Sequence, residues 1–152
     1  MGKQEDFIAQ IQPWVTAWHD IYGWGVISAI IGQACLESAY GTSDKVVPDR
    51  NNYFGLKYKP NRVTCNNGTF TSTSAEYKDG KYYPIITEWF KFPDMNTGVR
   101  GYFQFISTGP YKVQNITDPR SYLTELKAHS YATGPNYVEN VMAVIEKHNL
   151  TQ

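Results

Sequence analysis

Glu37 is the one charged side chain between Asp20 and Asp44, and it stands in the apolar run from Val26 to Gly41. A carboxylate in such surroundings is costly to ionise, so its pKa is expected to rise until it holds a proton near neutral pH. That is what a general acid requires. The competing reading is a carboxylate that surfaces at the end of a buried helix, or pairs with an Arg or Lys from elsewhere in the chain. Two further carboxylates lie where the sequence has β character. Glu76, in Ala75-Glu76-Tyr77-Lys78-Asp79-Gly80, has Lys78, Asp79 and Lys81 for neighbours and is expected to stay ionised. It reads equally as an exposed strand carboxylate paired with a lysine. Glu88 is the competing second acid, although alternation with Ile86 and Trp89 gives it a solvent-facing or edge position.

The elements that must position these groups follow from periodicity. Phe7, Ile8, Ile11, Trp14, Val15, Trp18 and Ile21 recur at steps of three and four, which predicts an amphipathic helix over 4–22, with Pro13 as a candidate kink. Gly23 and Gly25 break it. A second helix over about 26–40 is apolar on nearly all sides and is expected to run through the middle of the domain, with Gly41 as its C-cap stop. Turn formers dominate 42–59. Residues 63–65, 69–71, 75–77 and 84–92 carry β-formers with alternation, punctuated by Asn66-Asn67-Gly68 and Asp79-Gly80, and predict a small antiparallel hairpin sheet. Helices are expected again from Pro93-Asp94 to about Ile106, from Asp118-Pro119 to about His129, and from Pro135-Asn136 to about His148. Helices on both sides of a compact β-rich insertion at about 62–92 make a single α+β domain over 1–152, mainly helical with a β-hairpin lobe.

Composition narrows the partner. Lys plus Arg and Asp plus Glu each number 14 in 152 residues, so no basic field is available for nucleic acid or anionic lipid, and a neutral partner is expected. The 12 Tyr and 4 Trp exceed what a core of this size needs, and their flat amphipathic faces suit sugar rings. Cys35 and Cys65 are expected as free thiols. His19, His129 and His148 are scattered, no Cys and His stand at zinc spacing, and neither metal nor cofactor is expected. The run 21–36 is interrupted by Gly, Ser and Gln and is not read as a membrane span. No secretion signal is read in residues 1–6.

Gln33-Ala34-Cys35-Leu36-Glu37-Ser38-Ala39-Tyr40-Gly41-Thr42-Ser43 resembles the catalytic helix of the bacterial and phage glucosaminidases of glycoside hydrolase family 73. Three more blocks match in the same order: Asn51-Asn52-Tyr53-Phe54-Gly55-Leu56-Lys57, the hairpin carrying Glu76, and Ser130-Tyr131-Ala132-Thr133-Gly134-Pro135-Asn136-Tyr137. The resemblance implies a lysozyme-like fold with a central cleft, and an endo-β-N-acetylglucosaminidase that cleaves the β-1,4 bond after N-acetylglucosamine in peptidoglycan glycan strands, at the bacterial cell wall. It makes Glu37 the general acid, Glu76 the second carboxylate on a mobile hairpin and Tyr131 an aromatic hydroxyl in the cleft, with Asn52, Tyr53, Phe54, Gly55 and Tyr137 binding substrate. Gly134 and Tyr53 depart from the family pattern, which more often has Asp and an aliphatic residue there. Alternatives on the same fold are a muramidase, a lytic transglycosylase, or a glycan-binding module without turnover. The second catalytic role stays open between Glu76, Glu88 and the substrate's own 2-acetamido group, which Tyr131 or Asn52 would orient.

Overall fold

The computed structural model describes residues 2–151. Among the described residues there are five helices and one two-stranded antiparallel sheet, in the order α1 (Lys3–Tyr22), α2 (Ile27–Glu37), β1 (Thr69–Lys78), β2 (Lys81–Phe90), α3 (Met95–Ser107), α4 (Pro119–Ala128) and α5 (Tyr137–Lys147), with the hairpin projecting from the helical body. This is the mainly helical α+β architecture that the periodicities predict.

α2 is the central element, because its residues 28–35 are all buried and it packs against α1, α4 and α5. Gly32 makes the approach of α5 possible: a Cβ there would lie 3.0 Å from Val141 and 3.1 Å from Ile145. α1 turns Phe7, Ile11 and Val15 inward and crosses α3, where Trp18 donates its indole N–H to Asn96 over 2.8 Å. α3 and α4 start at Asp94 and Asp118, whose carboxylates accept from the backbone N–H of Thr97 and Ser121, the three-residue reach of an N-cap. Fully buried Phe54, Phe90, Phe92, Tyr102, Phe103 and Tyr122 tie the helices to the hairpin base. Each side chain of this size stabilises the fold by about 1.5–3 kcal/mol through the apolar area it removes from water. Cys35 and Cys65 are both free, and burial pushes the Cys35 thiol up to about 12, which leaves it unreactive.

Three elements differ from the sequence expectation, each for a local reason. α2 stops at Glu37, not near Tyr40, because the Ser38 hydroxyl takes the Ala34 carbonyl at 2.6 Å and receives Gly41 N–H, while Ala39 and Tyr40 turn left-handed. Residues 63–65 form no strand: the Gln104 side chain accepts from the N–H groups of Thr64 and Cys65, so those donors have no need of a ladder. The two short strands expected at 69–71 and 75–77 are one continuous β1, since the polar stretch between them is satisfied across the pair by Ser74 with Thr87 and Ser72 with Trp89. β2 correspondingly begins at Lys81 and includes Pro84, opposite Ala75. Lower down, residues 56–58 run beside β2 through Phe90 N–H to Leu56 C=O and Tyr58 N–H to Glu88 C=O.

Candidate active site

Ending α2 at Glu37 places this carboxyl at the floor of a cleft of about 330 Å³, between the helical body and the hairpin. The main chain of Gly55 lies directly against it. A Cβ at Gly55 would stand 2.9 Å from Glu37 Oε1, and Gly55 holds φ +64, so a larger residue there would strain the backbone and displace the carboxyl. Burial pushes the Glu37 carboxyl up to about 7; the charges of Lys45 and Lys57 and the Tyr137 hydroxyl pull the other way without cancelling it. At neutral pH a substantial fraction of Glu37 is therefore protonated.

The opposite wall is β1. Glu76 faces inward, paired with Lys57 and accepting the Thr133 hydroxyl at 2.9 Å. Its cation is thus Lys57 from the 50s loop, not the neighbouring Lys78 or Lys81. Thr133 also receives Tyr77 N–H at 3.1 Å, so one side chain joins the loop after α4 to the hairpin. Tyr131, from the same loop, donates its hydroxyl to the Phe54 carbonyl over 2.7 Å and stacks edgewise among Tyr102, Phe105 and Tyr111. Lys45 completes the rim, its ammonium 4.6 Å above the Trp89 ring. Among the described residues no group of three or more His, Cys, Asp or Glu side chains is gathered as metal ligands would be.

Of the residues singled out from sequence, Glu37, Glu76, Tyr131, Gly55 and Tyr137 line this one cleft. Three others lie outside it. Asn52 is fully buried and spends its amide on the backbone, donating to Leu56 C=O and Phe90 C=O and accepting from Leu56 N–H. Tyr53 packs on Phe7 and donates to Asn51, on the far side of the loop. The Phe54 ring is stacked on Tyr102 with no exposed surface, so only its carbonyl reaches the site. These three side chains thus do not line the cleft and instead brace the loop that carries Gly55 and Lys57 to it. Glu88 is exposed outside the cleft, accepting from the Thr69 hydroxyl. Lys57 and Thr133 stood within the sequence blocks quoted above but were not singled out, whereas nothing in the sequence marks Lys45, Asp44 or Trp89 as cleft residues.

Comparison with known proteins places this geometry. Residues 17–150 match the glucosaminidase family described as mannosyl-glycoprotein endo-beta-N-acetylglucosaminidase. The chain is 29% identical over 134 residues to the exo-glucosaminidase LytG of Bacillus subtilis, covering 82% of this chain and 45% of that protein. It is 29% identical over 144 residues to an N-acetylmuramoyl-L-alanine amidase domain-containing protein of Staphylococcus aureus, covering 88% and 22%. The chain thus spans less than half the length of either relative. Among solved structures, the catalytic domain of the autolysin Auto from Listeria monocytogenes superposes with a TM-score of 0.77 at 27% identity, over 100% of this chain and 88% of that one. An N-acetylmuramoyl-L-alanine amidase from Staphylococcus aureus gives 0.84 at 20% identity, over 100% and 43%, a likeness of fold.

Proposed function

The chain belongs to the glucosaminidase family, and from that premise we propose that it hydrolyses the β-1,4 bond between N-acetylglucosamine and N-acetylmuramic acid in peptidoglycan, with Glu37 as the general acid. One observation carries the reading: a single carboxyl, held protonated near neutrality by burial, lies at the floor of an open cleft with a second carboxylate on the facing wall. The Glu37 proton passes to the glycosidic oxygen as the bond from the anomeric carbon to that oxygen breaks, and the positive charge developing on the sugar ring needs a partner. Two routes supply it. In one, Glu76 takes a proton from a water that attacks the opposite face; in the other, the 2-acetamido oxygen closes on the anomeric carbon before water opens the ring it forms. Tyr131 is the aromatic hydroxyl beside these groups, and Gly55 and Tyr137 contact the bound sugars.

The experiment is lysis of purified cell walls with analysis of the products. New reducing N-acetylglucosamine ends are expected; reducing N-acetylmuramic acid ends would make the enzyme a muramidase, and anhydro ends a lytic transglycosylase. A clear turbidity loss excludes a binding module without turnover. The size distribution separates endo cleavage, which yields mixed oligomers, from the exo action named for the Bacillus relative. Glu76→Gln distinguishes the two routes. A collapse equal to that of Glu37→Gln supports the two-carboxylate route, and a milder loss supports the acetamido route.

A further inference from the structure

Gln33 lies one turn before Glu37 on α2, with no exposed surface. A buried primary amide must place both ends on partners, and Gln33 does so with two tyrosines. Its Oε1 accepts the Tyr102 hydroxyl at 2.6 Å, and its Nε2 donates to the Tyr137 oxygen at 3.0 Å. The Tyr102 oxygen also stands 2.8 Å from the Tyr122 oxygen. A hydroxyl has one proton. Tyr102 gives its proton to Gln33, so the proton between the two buried tyrosines comes from Tyr122. Tyr137 receives from Gln33 on one lone pair, and its own proton is left to point into the cleft, where the Glu37 carboxyl lies. These hydrogen bonds run one way, Tyr122 to Tyr102, to Gln33, to Tyr137, and leave the Tyr137 proton for the cleft that Glu37 also lines.

We propose that Gln33 is a positioning residue for the acid: its amide fixes the Tyr137 hydroxyl as a donor to one Glu37 oxygen, leaving the other oxygen to carry the proton delivered to substrate. The inference rests on Glu37 being the acid. A donor held in place favours the anion that remains after proton transfer and so opposes the burial that raises the Glu37 pKa, without adding a charge. The other groups facing Glu37 do not do this by orientation. Lys45 and Lys57 act through charge from the loops after α2, Glu76 lies across the cleft with its cation Lys57, Asp44 sits on the rim, and the Tyr131 proton is committed to Phe54 C=O.

The test is the alkaline limb of kcat/KM against pH, with the Glu37 carboxyl titrated in parallel by carbon-13 NMR. Gln33→Met keeps the volume and removes the donor, and Tyr137→Phe removes the hydroxyl; each is expected to move limb and titration upward by about half to one pH unit. The double variant should move no further, since both changes cut one chain. Tyr102→Phe guards against a misfolded Gln33 variant. It leaves the cleft untouched but frees the amide to turn its oxygen toward Tyr137, and the same upward shift is expected. Lower activity with an unmoved limb and titration in Gln33→Met and Tyr102→Phe overturns the inference, as does an additive shift in the double variant. Glu37→Gln separates this from the functional reading, because normal lysis by that variant defeats the reading, whereas the NMR titrations of the other variants decide the inference.

Discussion

Replacing Glu37 by Gln removes the proton to be delivered and also removes a charge that the fold holds at a loss. In the folded protein burial pushes the carboxyl up to about 7, from the 4.5 of an unperturbed glutamate. The sign follows from which state ionises first. Near pH 4 the group is protonated in both states, and Glu37→Gln should gain only about 0.2 kcal/mol. Between those two values the unfolded chain loses its proton while the folded chain keeps it, so wild-type stability falls as pH rises. At pH 7 and above the loss reaches roughly 3 kcal/mol, which the neutral amide does not suffer. In a chain of this length 1 kcal/mol moves Tm by about 2–4 °C, so the variant should melt about 6–12 °C above wild type at pH 8 and level with it at pH 4. Thermal unfolding of both proteins at one-unit pH steps and constant ionic strength is the assay, run beside wall lysis. A Tm difference that does not grow between pH 4 and pH 8 would show that the carboxyl is not held above its ordinary range. Lysis above about a hundredth of wild type would remove it from the chemistry.

Lys45→Met takes away a charge that favours ionised Glu37, so the alkaline limb of the pH profile should move upward, a shift read from initial lysis rates between pH 6 and pH 9. Asn52→Ala removes three hydrogen bonds inside the loop fold, and denaturant melts should show a loss of about 2–4 kcal/mol with KM near wild type wherever the variant is folded. Gly55→Ala adds a methyl where Glu37 Oε1 already lies 2.9 Å away, on a backbone at φ +64; activity should fall at least about tenfold in protein that remains folded by circular dichroism.

One charge inside an apolar helix is a local anomaly that marks Glu37 as a candidate, but it took the resemblance of the surrounding block to favour an acid over a structural carboxylate, and its place in the cleft appears only in the fold. The helices were legible for a similar reason: their apolar period and their Asp caps at 94 and 118 are short-range signals. What escaped depends on contacts across the chain. Residues 63–65 have strand composition, yet Gln104, some forty residues away, takes their N–H groups. Asn52, Tyr53 and Phe54 sit in a block that resembles a substrate-binding segment, and nothing local distinguishes a side chain that touches sugar from one that braces the loop. Lys45 is unremarkable in sequence and gains its place only when β2 brings Trp89 beneath it. The early end of α2 turns on the hydroxyl of Ser38, which competes for a helical carbonyl, a geometry that residue type alone leaves undecided.

The contacts around Glu37 also say when in folding the site comes into being. Lys57 meets Glu76 across 19 residues of chain, Glu76 meets Thr133 across 57, and Tyr131 meets Phe54 across 77. Each closure costs loop entropy before its contact returns anything, and long-range contacts form late compared with helices. α2 carries Glu37, but until those loops close the carboxyl faces water, with neither the enclosing wall that raises its pKa nor the facing carboxylate. A partly folded chain therefore holds an ordinary glutamate, and lytic capacity should appear only as the last loops close, after the rest of the domain has become resistant to unfolding.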